Sequence, residues 1–222
     1  MNYQRNQKYF EVINNSGLTK VMIGGIVAAL IGIMAKAWIL VILGIAAAAG
    51  MVYLMQNKKK NIVTDAEYDA SVAANLDNLK QRALDKLGLD EDEVKEIAPI
   101  TFDGYVYKGA TNSKLGADNL WRTNKYETVY MFFADNEVHC YNYTFDTTTP
   151  KFTESTDVYF YKDIVSVSTA SDTVTLGNQN IEYEYFKLTT AGGTALSVSL
   201  KDANGAQRSI NAMRALLRSK KA

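Results

Sequence analysis

The sequence is poor in the residues that most metal and nucleophilic sites require. Its 222 residues include one cysteine, one histidine and two prolines. A lone cysteine cannot form a disulfide within the chain, and a single histidine excludes the paired-histidine zinc motifs. The 24 basic and 24 acidic side chains give a formal net charge of zero, so no overall positive charge favours nucleic acid as a partner. The sequence also contains no glycine-rich phosphate loop and no nucleophile elbow.

The two neighbouring reactive side chains, His139 and Cys140, fall in a segment with the pattern of a strand. Successive side chains of a strand point to opposite faces, so these two cannot form a catalytic pair within it. Aromatic residues at alternate strand positions favour cross-strand packing over a ligand groove, and the set comprises Tyr126, Tyr130, Tyr141, Tyr159, Tyr183 and Tyr185. We therefore predict a protein that is not an enzyme, with no catalytic, cofactor-binding or metal-binding residues and no cofactor.

Charge is nearly absent from residues 21–55, where Lys36 is the only charged side chain. A single helix over this stretch would be about 52 Å long, which exceeds the bilayer hydrocarbon core of about 30 Å. A lysine at the bilayer midplane would also cost about 2.5 kcal/mol or more. We therefore predict that Ala35, Lys36 and Ala37 interrupt the run and that residues 18–34 and 38–55 form a transmembrane helical hairpin.

Two alternatives stay open for this apolar run. One is a single span over residues 38–55 that follows an interfacial helix, and the other is a signal peptide cleaved near residues 46–49. The apolar run continues to Met55 and the polar leader is long, which disfavours cleavage. By the positive-inside rule we predict a multi-pass protein of the cell membrane with its N-terminus and C-terminal domain in the cytoplasm. The basic residues that flank the run are Arg5, Lys8 and Lys20 before it and Lys58, Lys59 and Lys60 after it.

Small residues recur four positions apart in the apolar run, at Gly24, Ala28 and Gly32 and again at Gly44 and Ala48. This spacing lets helix backbones approach closely and predicts a packing face, within the hairpin or between subunits. The alternative is that glycine and alanine are simply frequent in membrane helices. The residues assigned to the membrane interface are Lys20, Lys58, Lys59, Lys60 and Trp38.

A connecting helix is predicted after the lysine run, because Thr64 and Glu67 have the spacing of a capping box. Gly88 is a suitable stop for it. Its narrow apolar stripe packs either on its own domain or against a partner chain, and consists of Val72, Leu76, Leu79, Ala83 and Leu87. Four acidic residues follow from Asp90 to Glu93. A helix cap formed by Asp90 and Glu93 accounts for this cluster better than a calcium-binding loop does.

From residue 100 onwards, tyrosine, phenylalanine, valine and threonine alternate with short polar breaks, which predicts antiparallel strands. The expected strands are 100–108, 119–124, 128–134, 137–145, 157–161, 164–170, 173–176, 181–190 and 194–201. In the last of them, Leu196, Val198 and Leu200 share one face. A closing helix over 204–218 has an apolar face at Ile210, Met213 and Leu217. One helix cannot cover a parallel sheet, so we expect a small barrel or orthogonal sandwich plugged by that helix.

Three segments of this region resemble the bacterial pleckstrin-homology-like (PH-like) domains. They are residues 158–167, which read Val-Tyr-Phe-Tyr-Lys-Asp-Ile-Val-Ser-Val, residues 186–193 and residues 210–217, and the resemblance covers about residues 99–221. It implies a non-enzymatic binding or assembly module, often membrane-associated and sometimes oligomeric. The candidate lipid-headgroup contacts are Lys108, Lys114, Arg122 and Lys125, whose spread does not match the Lys-x-Arg spacing of the lipid-binding relatives.

Together these observations predict an α+β membrane protein with an N-terminal transmembrane helical hairpin, a connecting amphipathic helix and a C-terminal PH-like antiparallel β barrel or sandwich capped by one helix. The divisions are a polar segment 1–17, the hairpin 18–57, a basic stretch with connecting helices 58–98 and the β domain 99–222. The expected function is a membrane-anchored, self-assembling scaffold or interaction protein, whose partners are the lipid bilayer, further copies of the chain and an unknown protein. The alternative is a lipid or small-ligand binding protein at the cytoplasmic membrane face.

Overall fold

The computed structural model describes residues 1–11, 15–193 and 195–221, which form two compact units. The smaller unit is Lys8–Thr64, and the larger unit combines Met1–Gln7 with Asp65–Ala222. The chain thus leaves the larger unit after seven residues and returns to it at Asp65. The first residues of the predicted polar segment 1–17 therefore belong to the unit that contains the β domain.

Two apolar helices form most of the smaller unit, as the hairpin prediction required. A short helix α1 (Tyr3–Phe10) precedes them, and the apolar pair are α2 (Ser16–Met34) and α3 (Trp38–Lys60). The break falls at the predicted position, where Lys36 adopts a left-handed φ of 56° between the two helices. Helix α3 extends past the predicted end at residue 55, because glutamine and lysine continue a helix at little cost.

The predicted connecting helix is two helices, α4 (Asp65–Leu76) and α5 (Leu79–Leu87). The prediction of one continuous helix is wrong because Asn78 takes a left-handed φ of 64°, which a regular helix cannot contain. Gly88 ends α5 with a φ of 67°, as predicted. The predicted cap is also confirmed, since the Asp90 backbone N–H donates to Glu93 Oε2 at 3.1 Å around the 3₁₀ turn Glu91–Glu93.

The larger unit contains antiparallel sheets, as the strand pattern predicted. Strands β1 (Ile100–Tyr105), β4 (Lys125–Phe133), β5 (Glu137–Asp146) and β6 (Phe152–Phe160) form a four-stranded sheet in that order. Strands β7 (Ile164–Leu176), β8 (Gln179–Thr190) and β9 (Ala195–Ser199) form a second sheet of three strands in that order. A small hairpin joins β2 (Ser113–Leu115) to β3 (Trp121–Thr123).

Several strand boundaries differ from the prediction. The expected strands 164–170 and 173–176 are one strand, because Ser171 and Asp172 pair in register with Glu184 and Tyr183. Strand β6 begins at Phe152 instead of residue 157, and its exposed polar side chains hide the strand pattern. The predicted start of the last strand at residue 194 lies outside the described residues.

One hydrophobic core lies between the two larger sheets and the closing helix α6 (Ala203–Lys221). The rings of Phe102 and Phe186 stack across it with centroids 4.3 Å apart. The predicted core residues Leu196, Val198, Ile210, Met213 and Leu217 are all buried. The expected barrel is not closed, because β6 and β7 each pair with a single strand in the described part of the chain.

Candidate functional site

The outer surfaces of α2 and α3 are apolar and open. Both helices are long and apolar enough to cross a membrane. Large aliphatic side chains point outwards from them, among them Ile23, Leu30, Ile42 and Ile39, of which the last exposes 76% of its surface. Contiguous apolar surface of this extent is rare on soluble monomers, so it is suited to contact with lipid or another apolar partner.

The two apolar helices touch through backbone. A Cβ added at Gly25 would lie 2.8 Å from the carbonyl oxygen of Gly44, and one added at Gly44 would lie 2.7 Å from the backbone nitrogen of Ala29. Glycine at both positions permits this approach, which replaces side-chain interdigitation by close van der Waals contact. The hairpin is therefore held by its small residues.

The structure brings three of the five predicted packing residues into this contact. Gly32 lies against Val41, Gly44 against Gly25, and the Ala48 backbone nitrogen is 3.2 Å from the Cβ position of Gly25. Gly24 has no described atom within 4 Å of its own Cβ position, and Ala28 is half-buried. The spacing of four residues occurs at both Gly24/Ala28 and Gly25/Ala29, and the sequence does not indicate which of these adjacent faces meets α3.

The predicted membrane-interface residues lie near the ends of the hairpin. Helix α2 runs away from Lys20 and α3 returns to Lys58, so these two lysines belong to one end and Trp38 to the other. Lys20, Trp38 and Lys58 are exposed. Lys59 and Lys60 end α3, and their side chains lie outside the described part of the structure.

The first residues of the chain pack into the larger unit through an ion pair and buried hydrogen bonds. Arg5 Nε pairs with Glu67 Oε1 at 2.7 Å. Asn6 is 2% exposed, and its Nδ2 donates to the carbonyl of Thr147 at 2.8 Å and to Ser71 Oγ at 3.1 Å. The chain segments before and after the apolar helices are thus parts of one packed structure.

Arg122 and Lys108, both candidate headgroup residues, are bound to carboxylates. Arg122 is 2% exposed, and its guanidinium binds both oxygens of Asp69 and both oxygens of Asp118 at 2.7 to 2.9 Å. Lys108 Nζ lies 2.8 Å from Asp172 Oδ2. Lys114 is opposite Arg122 in the β2–β3 ladder, and Lys125 begins β4.

The Arg122 cluster holds its carboxylates charged. Burial alone would raise the pKa of Asp69, but hydrogen bonds from Arg122 and Tyr105 outweigh burial and lower it. A hydrogen bond from Arg122 and another from the Leu120 backbone hold the pKa of Asp118 well below its usual range. The buried arginine connects Asp69 of α4 with Asp118 of the β2–β3 hairpin, and the two carboxylates compensate its charge.

His139 and Cys140 have separate surroundings. Cys140 is 1% exposed in the hydrophobic core, where burial raises the pKa of its thiol. His139 Nε2 lies 3.1 Å from Glu137 Oε1 on the same strand. Within the described residues, no group of three His, Cys, Asp or Glu side chains is placed to hold a metal ion.

A surface cavity of the β unit, about 470 Å³ in volume, has several tyrosines in its wall. We call it the tyrosine groove, and its lining residues include Tyr107, Leu120, Trp121, Arg122, Glu182, Tyr183, Glu184 and Lys201. The Tyr107 and Tyr183 rings have centroids 4.9 Å apart and are tilted by 39°. Burial raises the pKa of Tyr107 to about 12, so its phenol stays neutral at physiological pH.

The sequence prediction did not find this groove. Tyr183 was assigned to cross-strand packing, but the Tyr185 ring that lies 6.0 Å from its own ring is on the same strand. Its other neighbour, Tyr107, comes from the segment after β1, more than 70 residues earlier. The periodicity of one strand contains no information about such a contact.

A scan against protein-family models and a search of curated proteins each found no match for this chain. The resemblance to PH-like domains therefore stays a prediction based on the three quoted segments. The function has to be argued from the residues of the chain itself.

Proposed function

We propose that this chain is a non-enzymatic interaction protein, anchored in the cell membrane by a helical hairpin, that presents a PH-like β unit in the cytoplasm. The observation that carries the proposal is that Met1–Gln7 and Asp65–Ala222 form one compact unit. The two helices that are apolar enough to span a membrane lie between these segments in sequence.

That connection supports a topology with two spans. A compact unit with hydrogen-bonded polar surfaces stays on one side of a bilayer, because unsatisfied polar groups are costly in hydrocarbon. The chain that leaves this unit at Gln7 and returns at Asp65 must therefore cross the membrane an even number of times. Two spans meet this condition, whereas one span after an interfacial helix would separate Asn6 from its partner Thr147.

The charge distribution supports the cytoplasmic side. Lys20 and Lys58 to Lys60 belong to the end of the hairpin next to the β unit in sequence, and Lys36 is the only basic residue of the connecting turn. Basic residues are retained on the cytoplasmic side during insertion. The β unit then lies where a soluble partner can reach it.

The PH-like assignment is supported by the order of elements. A four-stranded antiparallel sheet, a three-stranded antiparallel sheet and one closing amphipathic helix share a core. The residues of the resemblance fall at the β6–β7 junction, at the end of β8 and in α6, where Ile210, Met213, Leu216 and Leu217 are buried.

Self-assembly belongs to the same proposal. The hairpin uses Gly25 and Gly44 internally and leaves Gly24 and Gly50 with open space beside them in the described structure. A second hairpin can approach those positions closely. Light scattering of the detergent-solubilised chain should report a mass above one protomer, and a monomer would contradict this part.

Cysteine labelling tests the topology. In a Cys140→Ala background, single cysteines replace the exposed residues Gln4, Lys36 and Asn178 in inside-out and right-side-out vesicles. A membrane-impermeant maleimide should label positions 4 and 178 from the cytoplasmic side and position 36 from the opposite side. Labelling of positions 4 and 178 from different sides would overturn the proposal.

The alternative function, binding of a lipid headgroup by basic residues, has less support. Arg122 and Lys108 are compensated by carboxylates, which leaves them poorly suited to an anionic group. The full chain, solubilised in maltoside, should therefore float to the same extent with anionic nanodiscs as with neutral nanodiscs. Specific retention of an anionic lipid in native mass spectrometry would favour the alternative.

A further inference from the structure

The four-stranded sheet has one edge that the described part of the chain leaves unpaired. Strand β6 pairs with β5 and with no other described strand. At the opposite edge, β1 meets the segment after β9, where the Lys201 backbone N–H donates to the Asp103 carbonyl at 2.8 Å. An edge strand presents backbone donors and acceptors to any strand that approaches it. The free edge of β6 is therefore a place where a further strand can be added.

The first strand of the other sheet, β7, is protected at its start by the closing helix. Arg214 Nε of α6 donates to the Val167 carbonyl at 2.9 Å, and Lys221 Nζ donates to the Ile164 carbonyl. Basic side chains at an edge hinder pairing with a further strand. Strand β6 instead exposes large apolar side chains, which are Phe152, Val158 and Phe160.

The register of β5 and β6 fixes which backbone groups face the free edge. The Asp146 N–H donates to the Lys151 carbonyl at 2.8 Å. At the other end of the strand, the Tyr161 N–H donates to the Asn136 carbonyl at 3.0 Å, and the register between them is continuous. In an antiparallel ladder, residues bonded to the neighbouring strand alternate with residues whose N–H and C=O point away from it. The outward groups of β6 therefore belong to Phe152, Glu154, Thr156, Val158 and Phe160.

These outward residues are arranged symmetrically about Thr156. A second β6 strand, antiparallel and centred on the same residue, places Phe152 opposite Phe160 of the second copy and Glu154 opposite Val158 of the second copy. Five opposite pairs with two backbone hydrogen bonds each give about ten, which is the number in a typical protein interface. Aromatic side chains that lie opposite each other stabilise a sheet, and this register sets no two like charges directly opposite.

We propose that β6 is a homotypic docking edge, at which two copies of the chain pair antiparallel about Thr156 and join their four-stranded sheets into one. The partner is a second copy because Phe152 and Phe160 lie equally far from Thr156, so that the edge complements itself. Both copies use the same edge, so the contact closes at two chains. It gives the self-assembly of the proposed function a contact in the β unit and rests on that part of the proposal.

Disulfide cross-linking of the full chain in maltoside micelles tests the pairing. In a Cys140→Ala background, one variant carries Ser155→Cys and another Asp157→Cys, both at exposed positions. Ser155 lies opposite Asp157 of the second copy in the proposed register, at a Cα separation of about 4.5 Å that a disulfide can bridge. Identical positions are about 8 Å apart, which is too far. We expect the co-expressed variants to form a cross-linked dimer on oxidation, and each variant alone to form about tenfold less.

Substitutions at Thr156, added to the cysteine variants, test whether backbone pairing holds the contact. Thr156→Pro removes the outward N–H and should reduce the cross-link about tenfold. Thr156→Val is the matched control, because it keeps the N–H and the branched side chain, and it should change the cross-link less than about twofold. Equal effects of the two substitutions would contradict the inference.

Charge complementation gives a readout that misfolding cannot imitate. One cysteine variant receives lysine at both Phe152 and Phe160, and the other receives glutamate at both. Lysine variants of both cysteine chains, co-expressed with each other, should not cross-link, because like charges then lie opposite, and the same holds for glutamate variants. Co-expression of a lysine chain with a glutamate chain should restore the cross-link, and failure to restore it would overturn the pairing.

Further outcomes separate this inference from the proposed function. Absence of the cross-link in chains whose mass by light scattering exceeds one protomer would overturn pairing at β6 and leave assembly through the hairpin. Cross-linking of Ser155→Cys with itself as efficient as that of the co-expressed variants would show a shifted register and overturn pairing about Thr156. A cross-link of the expected kind, together with labelling of positions 4 and 178 from different sides, would reject the membrane topology alone.

Discussion

At the scale of single residues, Gly24 and Gly25 have opposite roles although they are adjacent. The Gly25 Cβ position is 2.8 Å from the Gly44 carbonyl oxygen, whereas that of Gly24 meets no described atom within 4 Å. The difference arises because a step of one residue rotates a helix position by about 100°. A substitution at Gly25 therefore has a natural control at Gly24, which lies at nearly the same position along the axis of α2.

Gly25→Leu should destabilise the hairpin by about 1–3 kcal/mol, because the new side chain must displace backbone of α3. Gly24→Leu should leave the contact between α2 and α3 within about 0.5 kcal/mol, measured at a dilution at which each micelle holds one chain because Gly24 is proposed to meet a second hairpin. Trp38 fluorescence in a Trp121→Phe background, followed during denaturation of the micelle-bound chain by dodecyl sulfate, measures both. Equal destabilisation by the two variants would show that the Gly25 face does not meet α3.

Charged residues show why a basic pattern in sequence is an incomplete guide to a binding site. Arg122 and Lys108 were grouped with Lys114 and Lys125 as candidate contacts for a lipid headgroup. In the structure Arg122 is buried between Asp69 and Asp118. Asp69 belongs to α4, which lies outside the β domain that contains Arg122. The compensating carboxylates were unpredictable because no periodicity links α4 to β3.

At the scale of elements, two basic residues of α5 share one glutamate of the four-stranded sheet. Arg82 and Lys86 of α5 pair with Glu154 of β6 at 2.6 and 2.7 Å. Hydrogen bonds from Lys86, Tyr141 and Arg82 lower the pKa of Glu154 to about 2. The Arg82 guanidinium also lies over the Tyr143 ring, 5.3 Å from its centroid.

Glu154→Gln should reduce stability at pH 6 by less than about 1 kcal/mol, because the ion pairs are near the surface. A lowered folded-state pKa means that the stabilisation is complete above the ordinary pKa of 4.5 and is lost as pH falls towards about 2. Urea unfolding at pH 6, 4.5 and 3 should show the wild type approaching the variant.

The control for Glu154 is Asp92→Asn, since Asp92 forms an exposed ion pair with Lys95 outside the sheet contact. Its pH dependence should follow the wild type. A constant difference between wild type and Glu154→Gln from pH 6 to pH 3 would show that packing, and not charge, connects α5 to the sheet.

At the scale of the whole molecule, the two compact units should be separable by design. Deleting residues 8–64 and joining Gln7 to Asp65 through a flexible linker of about 15 residues retains every contact of the larger unit. The fusion should stay in the supernatant after high-speed centrifugation without detergent, because the exposed apolar helices are absent. A fusion that sediments would show that the β unit itself binds membrane or aggregates.

The matched control lacks residues 1–64 altogether. It loses the hydrogen bond from Asn6 to the Thr147 carbonyl and the Arg5–Glu67 ion pair, which leaves a buried carbonyl without its donor. The loss of buried hydrogen bonds predicts a free energy of unfolding lower by about 1–3 kcal/mol than that of the fusion. Equal stabilities would mean that the N-terminal segment adds nothing to the unit.

The sequence by itself determined the features that depend on local composition and periodicity. These are the two apolar helices with their break at Lys36, the antiparallel strands, the Asp90 cap and the buried face of α6. The break in the connecting helix at Asn78 and the continuous β7 were missed, because a left-handed residue and a polar strand have weak local signals.

Only the tertiary structure decided which helix face meets its neighbour, that Asn6 reaches Thr147, and that Tyr107 and Tyr183 line one groove. Each of these joins residues far apart in sequence, where the contact depends on the packing of whole elements. Periodicity reports which side of an element is apolar, whereas the partner of that side is selected by the free energy of the complete fold.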